Sequence, residues 1–137
     1  MSTNSYIGIV NPDKTVDYIY CHWDGYLSHN GTILNDHYQD AEKIRHLISE
    51  GDASFIAPEI GEKHNFDDIP KGMCRFYRRD RGDNVPARKV ENMEDLLKDH
   101  LQDVYLYEDG KWTYHQNHQW QLLVDCLKEI GKPIITS

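Results

Sequence analysis

The hydrophobic and polar positions of this chain fall into short runs of two kinds. Ser5–Val10 (SYIGIV) reads as a strand, and Thr15–Asp24 as a second. Between them Asn11-Pro12-Asp13 is turn chemistry: proline presets one dihedral, and the Asx side chains satisfy nearby backbone groups. The two strands therefore form a hairpin, which Gly25 ends. Helical spacing follows. Asn30-Gly31 starts a short helix through about Tyr38, with Ile33, Leu34 and His37 in phase. Asp40 is an N-cap for Ala41–Glu50, whose Ala41, Ile44, Leu47 and Ile48 share a face, and Gly51 is its stop.

Residues 52–72 carry prolines and glycines without a clear period and read as a long loop, with a turn of helix near Ala57–Ile60. A loop of that length in a small domain is often functional. Met73–Arg79 (MCRFYRR) reads as a strand, Asp80–Pro86 as a polar loop and Ala87–Val90 as a short strand. Asn92 caps a helix through about Leu101 with the stripe Met93, Leu96, Leu97 and Leu101. Val104–Tyr107 and Lys111–His115 flank Glu108-Asp109-Gly110, a hairpin signal. Asn117 caps a last helix with Trp120, Leu123, Val124, Leu127 and Ile130 on one face, stopped by Gly131. Hairpins with helices between them predict one α+β domain over residues 1–137, an antiparallel or mixed β-sheet with helices packed mainly on one face.

Alternation along each strand then sorts its side chains. Ile19, Cys21 and Trp23 share one face, with Cys74, Phe76, Val104 and Leu106 as their equivalents on other strands. Tyr18, Tyr20, His22 and Asp24 share the opposite face, with Arg75, Tyr77, Arg79, Tyr105 and Tyr107. The first side needs the leucine-rich helices as cover. The second is a candidate binding platform: rings stack on planar groups and guanidinium groups grip phosphate or carboxylate. The bland alternative is a second small core under the long loop, with tyrosine hydroxyls at its rim.

Composition narrows the partners. The chain of 137 residues has a formal net charge of −8. That disfavours direct binding to nucleic acid or to an anionic membrane. It fits a basic partner, or an acidic chain that occupies a nucleic-acid-binding groove on another protein. The three cysteines, Cys21, Cys74 and Cys126, are far apart and include no CxxC pair, so no disulfide framework is expected. No basic leader with a long apolar run opens the sequence, and no apolar run approaches the ~18 residues a membrane helix needs. A cytoplasmic setting is the expectation.

Candidate chemistry is sparse. His22, Asp24, His29 and His37 are close in sequence, but their spacing matches no zinc motif. A metal-dependent enzyme using His22 and Asp24 is the alternative this leaves, and no metal or cofactor is expected. Cys21 and His22 point to opposite faces of one strand and cannot form a nucleophile–base pair. The basic run Arg75–Lys89 reads first as a solvated, self-paired loop, and its Arg81-Gly82-Asp83 triplet as coincidence. No P-loop, GxGxxG or HExxH pattern is present.

The stretch Ile19–Gly31 (IYCHWDGYLSHNG), followed by Ile33-Leu34, His37-Tyr38 and Ile44, resembles a group of small uncharacterised proteins of phages, prophages and other bacterial mobile elements. In that group an HWDGY core, commonly with proline next, precedes a short segment ending in glycine; here Leu27 stands at the proline position. Phe76-Tyr77…Arg79-Asp80-Arg81-Gly82 is similar to a second block of the group. The resemblance implies a bacterial host-cell cytoplasm and carries no activity, cofactor or catalytic residue. It favours a non-enzymatic accessory protein that binds a host or defence protein; the tyrosine/arginine face adds a small anionic ligand such as a nucleotide, and the acidic charge adds imitation of nucleic acid at a host nuclease or defence effector as the alternative. A homo-oligomer is compatible with it. The expected binding residues are Tyr18, Tyr20, His22, Asp24, Arg75, Tyr77 and Arg79.

Overall fold

The computed structural model describes residues 4–97, 103–116 and 119–129. Its elements are strands β1 (Ser5–Val10), β2 (Val16–Cys21), β3 (Ala53–Phe55), β4 (Arg75–Phe76), β5 (Arg88–Val90), β6 (Asp103–Glu108), β7 (Lys111–Gln116) and β8 (Gln119–Leu122). The helices are α1 (Thr32–His37), α2 (Ala41–Ser49), α3 (Tyr77–Arg81), α4 (Met93–Leu97) and α5 (Leu123–Glu129), with a π-helical turn, Leu27–Gly31, before α1. The fold is α+β.

All eight strands belong to one mixed sheet of order β4-β3-β2-β1-β6-β7-β8, with β5 also on β2. The predicted hairpin β1–β2 forms, with Ile7 opposite Ile19. So does β6–β7, whose turn residues Asp109 and Gly110 both have positive φ, as a right-twisted hairpin prefers. The pairing of β1 with β6 is parallel.

One face of the sheet packs against α1, α2 and α5. Its core contains Ile7, Ile9, Ile19, Cys21, Leu34, Ile44, Leu47, Phe76 and Leu123. The α2 helix forms as expected: Asp40 accepts from the Glu42 amide, and its buried stripe is Ile44, Leu47 and Ile48. Gly51 closes that end at φ 86°, and a Cβ there would stand 2.4 Å from the Val85 carbonyl oxygen. The opposite face holds a smaller cluster, where Leu96 of α4 covers Tyr6, Val10, Val16, Tyr18, Val104 and Leu106.

Four expectations are corrected. First, β6 is inverted: Tyr105 and Tyr107 enter the main core, and Val104 and Leu106 face α4. The parallel register sets this, placing Tyr105 opposite Ile7 and Val104 opposite Tyr6. The buried tyrosines are satisfied there, since Tyr105 donates to the Gly25 carbonyl at 2.8 Å and Tyr107 to the Gln39 carbonyl at 3.3 Å. Second, the 52–72 loop opens with a strand, β3, and no helical turn forms at Ala57–Ile60; Glu59 instead bridges Met73.

Third, the middle strand stops at Phe76, and Tyr77–Arg81 turns as a helix. Asp80 causes this: its carboxylate accepts from the Phe76 amide at 2.9 Å and folds the chain back. Fourth, Trp120 is 36% exposed on β8 rather than in a helix core, because residues 119–122 pair with β7. The predicted cap Asn117, the continuation of α4 to Leu101, and Ile130 with Gly131 lie outside the described residues.

Candidate functional site

The sequence-predicted face is two environments. Its centre is closed: Tyr18 is only 7% exposed. Its edge, where β2 runs past β3, is open and carries the most exposed aromatic side chains of that region. Trp23 is 41% exposed and Tyr26 42%.

The backbone beneath those two rings is tied down. The His22 and Trp23 amides donate to the Ala53 and Ser54 carbonyls at 3.0 and 2.8 Å, continuing the pairing with β3. Asp24 then takes φ 57°, a left-handed conformation that Asp tolerates better than most residues. The turn ends strand alternation and throws Trp23 outward. The Cys21 thiol donates to the Trp23 carbonyl at 3.5 Å, and Tyr105 holds the Gly25 carbonyl. Tyr26 opens the π-helical turn, its carbonyl accepting from the His29 and Asn30 amides at 3.1 Å. Buried Asn30 donates to Ser5 Oγ at 3.2 Å and to Cys21 Sγ at 3.4 Å. Burial pushes the Cys21 thiol up to about 12, so it stays protonated and serves as a hydrogen-bonding group rather than a nucleophile.

Tyr20 and His22, expected on one strand face, are joined by a hydrogen bond. The Tyr20 hydroxyl meets His22 Nδ1 at 2.9 Å, and the His22 ring meets Trp23 edge-on at 4.7 Å. Burial raises the Tyr20 phenol, and nearby Tyr77 adds to the shift. The Tyr20 amide donates to buried Asp52, which Arg88 grips with two bonds at 2.7 and 2.8 Å. Burial still pushes the Asp52 carboxyl above its usual range, against the Tyr20 amide and Arg88.

Arg75, on β4, and Tyr77, in α3, meet at a ring from the long loop. Phe66 stacks on Tyr77 at 5.7 Å, with the Arg75 and Arg81 guanidinium groups 4.2 and 4.6 Å from its centre. Arg75 Nη2 donates to Ser54 Oγ at 2.6 Å.

Arg79 departs from the expected face. Its guanidinium lies against Phe76 and donates to the Ile60, Gly61 and Cys74 carbonyls and to both oxygens of Asp80. Those donors are committed to architecture. Asp24 lies beyond the end of β2, at the positive-φ position of the turn. Among the described residues, no three His, Cys, Asp or Glu side chains gather where one ion would touch them all, and His22 with Asp24 gains no third ligand.

The structure therefore brings together Tyr20 with His22, and Arg75 with Tyr77. It covers Tyr18 and sets Asp24 and Arg79 apart. Sequence reasoning missed Trp23, Tyr26 and Phe66. The Asp24-Gly25 pair after Trp23 was the available signal that alternation ends there, and Phe66 is the lone aromatic among the polar residues Glu62–Asp68. Comparison with known proteins returned no match to a family model, a curated protein or a solved structure.

Proposed function

We propose that this chain is a non-enzymatic binding protein of a phage or mobile element. In this reading it docks on a host or defence protein in the bacterial cytoplasm through the edge formed by Tyr20, His22, Trp23 and Tyr26. One observation carries the reading: two exposed aromatic side chains stand on a loop whose backbone is fixed by buried Cys21, Asn30 and Tyr105. Interfaces take most of their energy from a few aromatic or arginine anchors. An anchor already held in place loses less entropy on binding. Of the two arginines of the sequence-predicted grip, Arg75 and Arg79, the second supplies less, because it is committed to the internal carboxylate of Asp80.

The test is quantitative capture from bacterial host lysate with tagged wild type, Trp23→Ala and Trp120→Ala. The two tryptophans are similarly exposed, so the second controls for general stickiness. Loss of an anchor costs about 2 kcal/mol or more, roughly 30-fold in affinity. A partner retained by wild type and Trp120→Ala but lost by Trp23→Ala supports the reading. Equal retention by all three refutes it.

A further inference from the structure

Phe66 fills a slot whose chemistry suits a different occupant. The slot's floor is the Tyr77 ring, and two guanidinium groups face the place where Phe66 sits. Arg81 is neutralised by Asp83 at 2.6 Å. Arg79 and Arg88 hold Asp80 and Asp52. Among the described residues Arg75 holds no carboxylate, although it is half-buried. Its Nε is buried without an acceptor, and its Nη1 reaches only the Phe66 carbonyl, at 3.3 Å. Ser54 fixes the group's orientation. A guanidinium with spare donors and no counter-charge, beside an aromatic floor, recognises a planar ring that carries an anion.

The segment that places Phe66 there is weakly tied. Upstream, His64 is anchored: its amide donates to Asp80 and its Nε2 lies 3.0 Å from the Cys74 carbonyl. Downstream, the backbone bonds Glu59 to Gly72 and Cys74 to Glu59 close the loop. Between them Asn65–Asp68 is a turn whose hydrogen bonds are short-range: the Asp67 amide to Asn65 Oδ1, the Asp68 amide to the Asn65 carbonyl, and His64 Nδ1 at 2.8 Å from that same carbonyl. Gly72, at φ 79° with open space beside it, ends the segment. Lifting Phe66 out costs its ring contacts and one long hydrogen bond.

We propose that Arg75, Tyr77 and Arg81 form a binding slot for a planar aromatic anion of the nucleoside monophosphate class, with Phe66 as the displaceable ring this chain keeps there. The slot adjoins the Trp23 edge through Ser54 and goes beyond the protein-docking reading, because it needs no protein partner. A plug lowers apparent affinity by the fraction of molecules in which it is closed. Removing the plug therefore tightens binding.

The experiment is calorimetric titration of AMP into wild type, Phe66→Ala and Phe66→Ala/Arg75→Gln, with adenosine and inorganic phosphate titrated separately. Phe66→Ala is expected to bind AMP at least about tenfold more tightly than wild type. The double variant is expected to lose that binding, and adenosine or phosphate alone to bind more weakly than AMP. AMP binding by folded Phe66→Ala that is no tighter than wild type overturns the proposal. So does binding that survives Arg75→Gln, or phosphate binding as tightly as AMP. If Phe66→Ala fails to fold, hydrogen exchange of wild type decides. Faster exchange of the Asn65–Asp68 amides in AMP supports displacement, and unchanged exchange refutes it.

Discussion

Replacing Asp80 with alanine should be among the most damaging single changes outside the hydrophobic core. The carboxylate is buried and accepts from the Phe76 amide, the His64 amide and the Arg79 guanidinium. Removing it leaves Arg79, itself 8% exposed in its side chain, without its close counter-charge. Glu50 stands farther off, at 3.8 Å. Breaking a buried pair from one side costs about 3–5 kcal/mol. For 137 residues the unfolding entropy is about 0.3 kcal/mol/K near 60 °C, so the midpoint should fall by about 10–17 °C.

The cost should also depend on pH. Burial raises the Asp80 carboxyl, but its bonds from Arg79 and from the Phe76 and His64 amides outweigh that and hold it below the usual carboxylate range. A depressed folded value means the unfolded chain binds more protons near it, so stability rises with pH there. The contribution is complete above the unfolded value of about 3.9 and disappears as pH falls through the folded one. Urea denaturation of wild type and Asp80→Ala across that window reads the effect directly. A gap under ~1 kcal/mol at neutral pH, within the range of an ordinary hydrogen bond, would falsify the assignment of Asp80 as the loop's anchor. A gap that does not narrow in acid would rule out the charged pair as its source.

Three further predictions concern the edge and its supports. Tyr105→Phe removes the hydroxyl that holds the Gly25 carbonyl; it should cost about 1 kcal/mol and speed hydrogen exchange at residues 22–26, and unchanged exchange would show the loop is held otherwise. Cys21, Cys74 and Cys126 are buried, and burial raises all three thiols. A thiol reagent at pH 8 should therefore leave the native protein unlabelled and label all of them in urea; rapid native labelling of Cys21 would contradict its role beneath Trp23. Arg79→Lys should destabilise nearly as much as Arg79→Ala, because one ammonium cannot reach carbonyls at Ile60, Gly61 and Cys74 as well as Asp80. Restored stability in the lysine variant, read by thermal melting, would refute this.

The hairpins, the α2 helix with its Asp40 cap, and the α+β class were legible because each rests on local chemistry. Asx-Pro and Asp-Gly turns, capping side chains and helical stripes act within a few residues. What was not legible depends either on partners distant in sequence or on a local carboxylate or turn that interrupts an alternating run. The inversion of β6 follows from its parallel pairing with β1, and alternation within β6 cannot say which side meets the helices. Arg79 looked like a displayed cation because MCRFYRR alternates like a strand. The decisive interaction is the carboxylate of Asp80 reaching back to the Phe76 amide, which bends the chain after two strand residues. Trp23 looked like core for the same reason, and the turn at Asp24 reversed it.

The two sequence blocks that stand out, HWDGY and RDRG, converge on one rim of the molecule by different means. In the first, buried backbone and thiol support exposed rings. Cys21 and Gly25 lie buried and bonded beneath, while His22, Trp23 and Tyr26 reach the surface. In the second, Arg79 and Asp80 hold the 60–64 backbone, Gly82 ends α3 at φ 88°, and Arg81 caps the Phe66 ring. Ser54 joins them, since its carbonyl receives the Trp23 amide and its hydroxyl receives Arg75. The proposed surface is thus built less from the tyrosine-rich strand centre, which α4 covers, than from where β2 and β4 leave the sheet. At a strand's end the backbone needs new hydrogen-bond partners. Here buried Cys21, Asn30, Asp80 and Tyr105 supply them or brace the turns, and that leaves the neighbouring Trp23 and Tyr26 rings exposed.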